Sequence, residues 1–600
     1  MSFQSTPVGF KPFDRGLPER CVHQVFMDQA QRSAKRLAVI DPECALTYAD
    51  LACAVNSIAT RVHALTQDRD FRVALLFDQS AMYVASLLGV LQAGGTYVPL
   101  DARRSADWNR QVLVETDCEI LVCSERQLEF ARSIDPTHLM VANAEQESSS
   151  VSISFERCPN AVACIYFTSG TTGRAKGVCD TQRNLLHNAM RYTNTLKVSQ
   201  SDRLSLIQAP IFSGTQSTLF AGLLNGATIA SFDVHRWGLE GLPVWIQENA
   251  LTMFHSVPAI FRTLARSGRK YPSVRLIRLE GDRAGQQDVC VYQKYFSAEC
   301  VLVNGLGATE CGLVRQYFVN KDSNVAPGDL PLGYPVPDME VIVLDPDGNE
   351  LAAKQTGEIA VRSRFLAAGY LNQPELTQSK FLESSAGDRL YLTGDMGSLD
   401  EQGCLRLSGR KDHQLKINGQ TVNLAEVEAA LVDLPKVATA AAVTQEDDSG
   451  NGYLAAYLVC SEQQRPSLEQ VREWLTQKLP THLRPKRIMW LAEFPLSIDG
   501  KVDRSALPVP PVERPQLDTP YVAARDPEEQ RMVTVWEDVL QISPVGIRDN
   551  FLLLGGESLT AMQLLLGLEA EFGVSVSVAT LFENATIEAL LPIIEAERRS

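Results

Sequence analysis

Short apolar runs separated by longer amphipathic stretches fill the first part of the chain. Arg72–Phe77 and Glu119–Cys123 are too short for helices and read as buried strands, whereas Met82–Leu91 is apolar for long enough to read as a buried helix. From Leu46-Thr-Tyr-Ala-Asp50 to Cys123 such elements alternate, which predicts a layered α/β domain on a largely parallel sheet. Further on, an apolar strand over Ala161–Phe167 empties into a loop of Gly, Thr and Ser. Gln208-Ala-Pro-Ile-Phe-Ser213 leads into an apolar helix ending at Leu224, and Gly357-Glu-Ile-Ala-Val-Arg362 alternates as a strand does. Asn423-Leu-Ala-Glu426 has the residues of a helix N-cap and its reciprocal acid. The pattern then changes. Pro508, Pro510, Pro511, Pro515 and Pro520 deny backbone donors and predict an extended, semi-rigid spacer. Beyond it, Asp526-Pro-Glu-Glu529 reads as a helix start, with Val533, Trp536 and Leu540 on one face. Leu559, Met562, Leu565 and Leu566 form a second helical stripe behind Ser558, for which a plain N-cap is the simplest role.

Composition narrows the class. Six hundred residues exceed what one core holds, so several domains are expected. With 45% hydrophobic and 21% charged residues the chain resembles an ordinary soluble globular protein, and a net charge of -16 argues against a nucleic-acid partner. No apolar run is long enough to span a bilayer, and the N-terminus lacks the regions of a signal peptide, so neither membrane nor export is expected. Thirteen cysteines without a Cys-x-x-Cys pair point to buried thiols in a reducing compartment, hence a cytoplasmic location.

The chemistry begins at Tyr166-Phe-Thr-Ser-Gly-Thr-Thr-Gly-Arg-Ala-Lys-Gly-Val178. Its glycines let backbone N–H groups turn toward an anion, its hydroxyls add donors, and Lys176 adds a mobile positive charge, a combination suited to phosphate. Lys176 is followed by Gly177 rather than Ser or Thr, so this is not a Walker loop. Asn304-Gly-Leu-Gly-Ala-Thr-Glu310 likewise fails the dinucleotide pattern, because Glu310 stands where its last glycine would.

The 166–178 stretch resembles the ATP-phosphate loop of the adenylate-forming superfamily, which includes acyl-CoA synthetases, luciferases and peptide-synthetase adenylation domains. Ordered motifs from Leu46 to Leu559 extend the resemblance to a nonribosomal peptide synthetase adenylation domain joined to a peptidyl carrier domain. The resemblance implies a large adenylate-forming subdomain (1–411), a small α+β subdomain (412–506), a Pro-rich linker (507–522) and an all-α four-helix carrier (523–597). It also implies roles. Thr168, Ser169, Gly170, Thr171, Thr172, Gly173 and Lys176 would hold ATP phosphates, with Gly305 and Leu306 at the adenine. Thr309 would contact the α-phosphate and Glu310 would bind Mg²⁺. Asp395, in Tyr391-Leu-Thr-Gly-Asp395, and Arg410 would hold the ribose. Asp412 would be the hinge. Lys501 would bridge the substrate carboxylate and ATP oxygens, and Ser558, in Gly555-Gly-Glu-Ser-Leu559, would carry 4′-phosphopantetheine.

The same resemblance places the acid pocket at Phe212, Ser213, Gly214, Ser217, His255, Arg278, Glu280, Gly305, Leu313 and Val314. Family members that take α-amino acids usually have an aspartate where Ser213 stands, and a hydroxyl does not neutralise a buried cation. Glu280 either replaces that aspartate or pairs with Arg278; Gly214, Ser217 and Gly305 leave room; His255 reads as a hydrogen-bonded core residue. The expected function is ATP-dependent activation of an amino or related small acid as acyl-AMP, then thioester transfer to the chain's own carrier. Implied partners are a phosphopantetheinyl transferase, downstream condensation or tailoring enzymes in trans, and an MbtH-like protein as an option. A CoA ligase releasing a free thioester and a non-catalytic carrier platform, the latter motivated by Ser213 and Leu306, are the alternatives.

Overall fold

A computed structural model describes residues 7, 9–66, 71–134, 136–142, 155, 157–168, 176–326, 328–383, 388–411, 414–417, 420–447, 451–460, 465–495, 502 and 504–599. The expected alternation of strand and helix builds two large sheets. In a seven-stranded sheet, Val162–Thr168, Thr96–Leu100, Arg72–Leu76, Ile120–Cys123 and His138–Val141 run parallel, and Lys176–Thr181 and Gly369–Tyr370 close one edge antiparallel. In a nine-stranded sheet, six parallel strands, from Leu37–Ile40 through to Val301–Ala308, carry antiparallel strands at both edges.

One apolar cluster joins the two sheets. It contains Val39 and Leu204 from the nine-stranded sheet, Val73 and Tyr97 from the seven-stranded one, and Leu87, Leu186 and Phe220 from helices between them. The helix Ala81–Gln92 is buried on nearly every side, which explains why its sequence is apolar all round rather than striped. A five-stranded antiparallel sheet, including Gly357–Ser363, Arg389–Leu399 and Leu405–Arg410, follows.

Residues 414–490 form smaller units: the hairpin Gln414–Ile417 and Gln420–Asn423, then a three-stranded sheet covered by the helices Leu424–Val432 and Leu468–Lys478. After it come four α-helices among the described residues, packed around Trp536, which is fully buried and meets Phe551 edge-on. The first starts as its sequence dictates: the Asp526 carboxylate accepts from Glu529 N at 2.8 Å, with Pro527 in the first turn.

Two expectations change in detail. Ser558 is not an N-cap: Glu557 holds that position and Ser558 is the first helical residue of Ser558–Phe572. The proline-rich segment is extended but tethered rather than free. Tyr457 Oη donates to Pro508 O at 2.6 Å, and Arg514 clasps the fully buried Asp549 carboxylate through two 2.7 Å hydrogen bonds.

Candidate active site

The Val162–Thr168 strand delivers the chain to the phosphate-type loop, and Thr168 stands opposite Lys176 across the hairpin. Ser169, Gly170, Thr171, Thr172 and Gly173 lie outside the described residues. At the loop's mouth, the Thr168 hydroxyl is buried with no hydrogen-bond partner among the described residues, so a bound oxyanion would meet an unspent donor.

Lys176 Nζ lies 3.0 Å from Glu310 Oε1 and 3.2 Å from Tyr370 Oη, and Tyr370 Oη donates to the same carboxylate oxygen at 2.9 Å. Three residues far apart in the chain thus form one buried triangle. Tyr370 belongs to the Gly369-Tyr-Leu-Asn372 stretch, to which sequence reading gave no role; its conjunction with Glu310 appears only in three dimensions. Burial pushes the Glu310 carboxyl upward, but the Lys176 charge and the hydrogen bonds from Lys176 and Tyr370 outweigh it, and the group sits below the usual glutamate range. Burial and Glu310 together raise the Tyr370 hydroxyl, keeping it a donor.

Glu310 is reached through the tight turn between Val301–Ala308 and Gly312–Val319, and its neighbour Thr309 shares a 2.8 Å hydrogen bond with Ser213. That contact joins the nucleotide motif to the acid-pocket motif. Among the described residues no cluster of three His, Cys, Asp or Glu side chains is arranged to hold a metal. A hard cation at the lone Glu310 carboxylate would therefore take its other oxygens from phosphate and water, which is how Mg²⁺ is usually bound beside nucleotides.

Asp395 and Arg410 are register partners across the antiparallel pair Arg389–Leu399 and Leu405–Arg410. The turn is braced by residues that no motif announced: Glu358 accepts from Gly394 N at 3.2 Å and pairs with Lys411 at 2.7 Å. Asp412 and Lys501 lie outside the described residues. Leu306 is half-buried and packs against the main core.

The acid-pocket positions assemble as a wall of buried polar groups. Arg278 Nη2 donates to Ser217 Oγ at 3.0 Å and to the His255 ring, and Arg278 Nε lies 3.4 Å from Glu280 Oε1. Tyr192 Oη stands 2.9 and 2.8 Å from the two Glu280 oxygens, and its ring lies 4.1 Å beneath the Arg278 guanidinium. Thr218 completes the group at 3.0 Å from His255 Nδ1. Burial, then Arg278, drives the His255 ring far below its ordinary pKa, so it is neutral. Tyr192 and Thr218 escaped sequence reading because each is a helix residue in an unremarkable context.

Glu280 stands among Tyr192, Arg278 and His255, with Arg278 Nε at 3.4 Å and His255 Nε2 at 3.6 Å. A Cβ on Gly305 would sit 2.4 Å from Glu280 Oε1, so the glycine makes space for the glutamate side chain. A Cβ on Gly214 would meet His255 Cε1 at 3.7 Å, an ordinary contact. Leu313 and Val314 are fully buried in the main core, and Phe212 is partly exposed.

The helix opened by Ser558 lies at a seam. Met562 belongs to an apolar cluster of the large subdomain, where Leu559 and Leu566 join Trp237, Trp245 and Ile260. Elsewhere on the carrier, the end of the helix Pro527–Leu540 meets the small subdomain: Arg487 donates to Leu540 O and Gln541 O at 3.1 and 2.7 Å, and a Cβ on Gly555 would sit 2.5 Å from Lys486 O. Burial raises the Glu557 carboxyl, opposed by Lys486 and Arg472.

A nucleotide-type loop beside a buried lysine–carboxylate pair, on a two-sheet large subdomain with a small subdomain and a four-helix bundle, defines an adenylate-forming ligase with an attached carrier. Comparison with known proteins agrees: the AMP-binding enzyme family matches residues 26–371, the AMP-binding enzyme C-terminal domain residues 426–501, and the phosphopantetheine attachment site residues 530–591. The chain belongs to the AMP-binding enzyme family, with the adenylation–carrier organisation of nonribosomal peptide synthetases.

Tyrocidine synthase 2 of Brevibacillus parabrevis is 31% identical over 97% of this chain and 16% of its own length. Tyrocidine synthase 1 of the same organism is 26% identical over 98% of this chain and 54% of its own, so the chain spans at most about half of these relatives. A holo nonribosomal peptide synthetase protein with adenylation and carrier domains, bound to a vinylsulfonamide inhibitor, shares the fold with a TM-score of 0.80, 24% identity and 97% coverage of each chain. The o-succinylbenzoate CoA synthetase of Bacillus subtilis has a TM-score of 0.70 and 22% identity, covering 80% of this chain and 97% of its own.

Proposed function

We propose that the protein activates a small carboxylic acid, amino or related, with ATP and passes the acyl group as a thioester to its own carrier. The observation that carries this reading is the packing of the carrier against both ligase subdomains, the Ser558 helix on the large one and residues 540–541 and 555 on the small one, which a CoA ligase with free product has no use for. In the first half a substrate carboxylate oxygen bonds to the α-phosphorus of ATP while the bond from that phosphorus to pyrophosphate breaks. Thr168 and Lys176 offer donors to the phosphate oxygens and Thr309 to the α-phosphate, where preorganised donors act most strongly on developing charge. Glu310 would hold Mg²⁺, which would neutralise phosphate charge. Lys501 bridges carboxylate and nucleotide, then withdraws as 412–506 rotates about Asp412 relative to 1–411. 4′-Phosphopantetheine on Ser558 would supply the thiol, whose sulfur bonds to the acyl carbon as the bond from that carbon to the AMP oxygen breaks and AMP leaves.

The linker at 507–522 and the carrier at 523–597 complete the unit. Its partners are a phosphopantetheinyl transferase and downstream condensation or tailoring enzymes acting in trans, with an MbtH-like protein as an option, in the cytoplasm. Among the described residues no helix is long and apolar enough to cross a membrane.

Mass spectrometry of the holo protein after incubation with ATP and candidate acids tests the proposal. An acyl mass on the carrier that Ser558→Ala abolishes, with pyrophosphate exchange retained, is expected. Release of a CoA thioester with an unacylated carrier would overturn it.

A further inference from the structure

The polar end of the acid pocket is a closed electrostatic unit. Among the pocket positions, Arg278 is the one guanidinium and Glu280 the one carboxylate, 3.4 Å apart, with a neutral His255 beside them. Their charges sum to zero. Glu280 is also committed: Tyr192 bonds it, and it fills the space next to Gly305. The hydroxyls are engaged as well, Ser213 with Thr309 at 2.8 Å and Ser217 with Gly214 O at 2.7 Å. Arg278 is 4% exposed, and its Nε faces Glu280 Oε1 at 3.4 Å without an aligned hydrogen bond among the described residues.

Three kinds of substrate substituent can be compared with this wall. An ammonium would be a buried cation with no uncommitted carboxylate to meet it, and a second carboxylate would leave a net buried anion; either is costly in a dry pocket. An uncharged hydroxyl or carbonyl keeps the balance at zero and leaves the Arg278–Glu280 pair as it is.

Resting on the ligase reading above, we propose that this pocket selects a small hydroxy or oxo acid over the amino acid of the same carbon skeleton. Activation is the same displacement: the carboxylate–phosphorus bond forms, the bond to pyrophosphate breaks, and nothing is oxidised or reduced.

The test is ATP–pyrophosphate exchange by the full chain on matched trios: glycolate, glyoxylate and glycine; lactate, pyruvate and alanine; 2-hydroxyisovalerate, 2-oxoisovalerate and valine. In the trio with the fastest exchange, a hydroxy or oxo member is expected to lead the amino acid by about tenfold or more in kcat/KM, equivalent to about 1.4 kcal/mol. An amino acid leading its trio overturns the inference and leaves the ligase reading intact. No exchange with any member, and no acyl mass on the carrier, overturns both. A second measurement is a ratio within one preparation, which partial misfolding does not move. Glu280→Gln removes the negative charge and should shift the malate-to-lactate ratio of kcat/KM upward by about tenfold. An unchanged ratio would sink the charge argument.

Discussion

At the scale of single residues, the buried triangle of Lys176, Glu310 and Tyr370 is where the chain's charges are least replaceable. Lys176→Met and Glu310→Gln should each lower pyrophosphate exchange by about 10²–10³-fold, the scale seen when one preorganised electrostatic group is lost. Because the two side chains touch, the double variant should fall well short of the product of the single losses, which the same exchange assay measures. Glu310 also gives a pH dependence. Its carboxyl sits below the usual range in the folded chain, so it contributes stability above the ordinary glutamate pKa, and that contribution is lost as pH falls through the depressed value. Urea midpoints for wild type and Glu310→Gln should therefore differ at pH 6 and converge in acid.

Elements set the next level, and the clearest case is the carrier's tether. Asp549 is fully buried with Arg514 from the proline-rich segment as its ion-pair partner, and Gly546 N adds a third donor at 2.8 Å. Removing one side of such a pair leaves an uncompensated buried charge. Arg514→Ala should destabilise the helical bundle by about 3–5 kcal/mol, read from denaturant unfolding followed at Trp536, whereas the double change to Arg514→Met with Asp549→Leu should cost far less. The prolines made this segment legible as extended. That it is also a strut was not, because Arg514 and Asp549 are 35 positions apart and nothing in their neighbourhoods marks them as a pair.

For the whole molecule the question is how subdomains and carrier hold one another. Met562 leaves the bundle's own core for an apolar cluster of the large subdomain. Met562→Glu should leave pyrophosphate exchange within about twofold of wild type and cut carrier acylation at least about tenfold, since it puts an unpaired charge at an apolar contact. A second contact crosses from the large to the small subdomain, where Arg104 Nη1 lies 3.3 Å from His482 Nδ1. Burial, then Arg104 and Arg484, lowers the His482 pKa to about 3. The docked form binds fewer protons than a separated one with an ordinary histidine near pH 6.5, so docking strengthens as pH rises toward that value and weakens as it falls below. Crosslinking yield between these subdomains should drop from pH 7.5 to pH 5.5 in wild type, and the drop should shrink in His482→Gln.

Read alone, the sequence established the elements, their order and the chemistry of the loops. Strand and helix periods are local properties, and glycine, hydroxyl and lysine in one loop or a serine after two glycines are local signals. Tertiary structure decided everything that depends on residues meeting across long separations. It set Tyr370 on Glu310, gave the space at Gly305 to Glu280, brought Arg278 against Glu280, and turned part of the carrier's apolar stripe outward onto the ligase. Each is a matter of which buried charge or apolar surface finds which partner, and pairing across hundreds of residues is settled only when the sheets and helices pack.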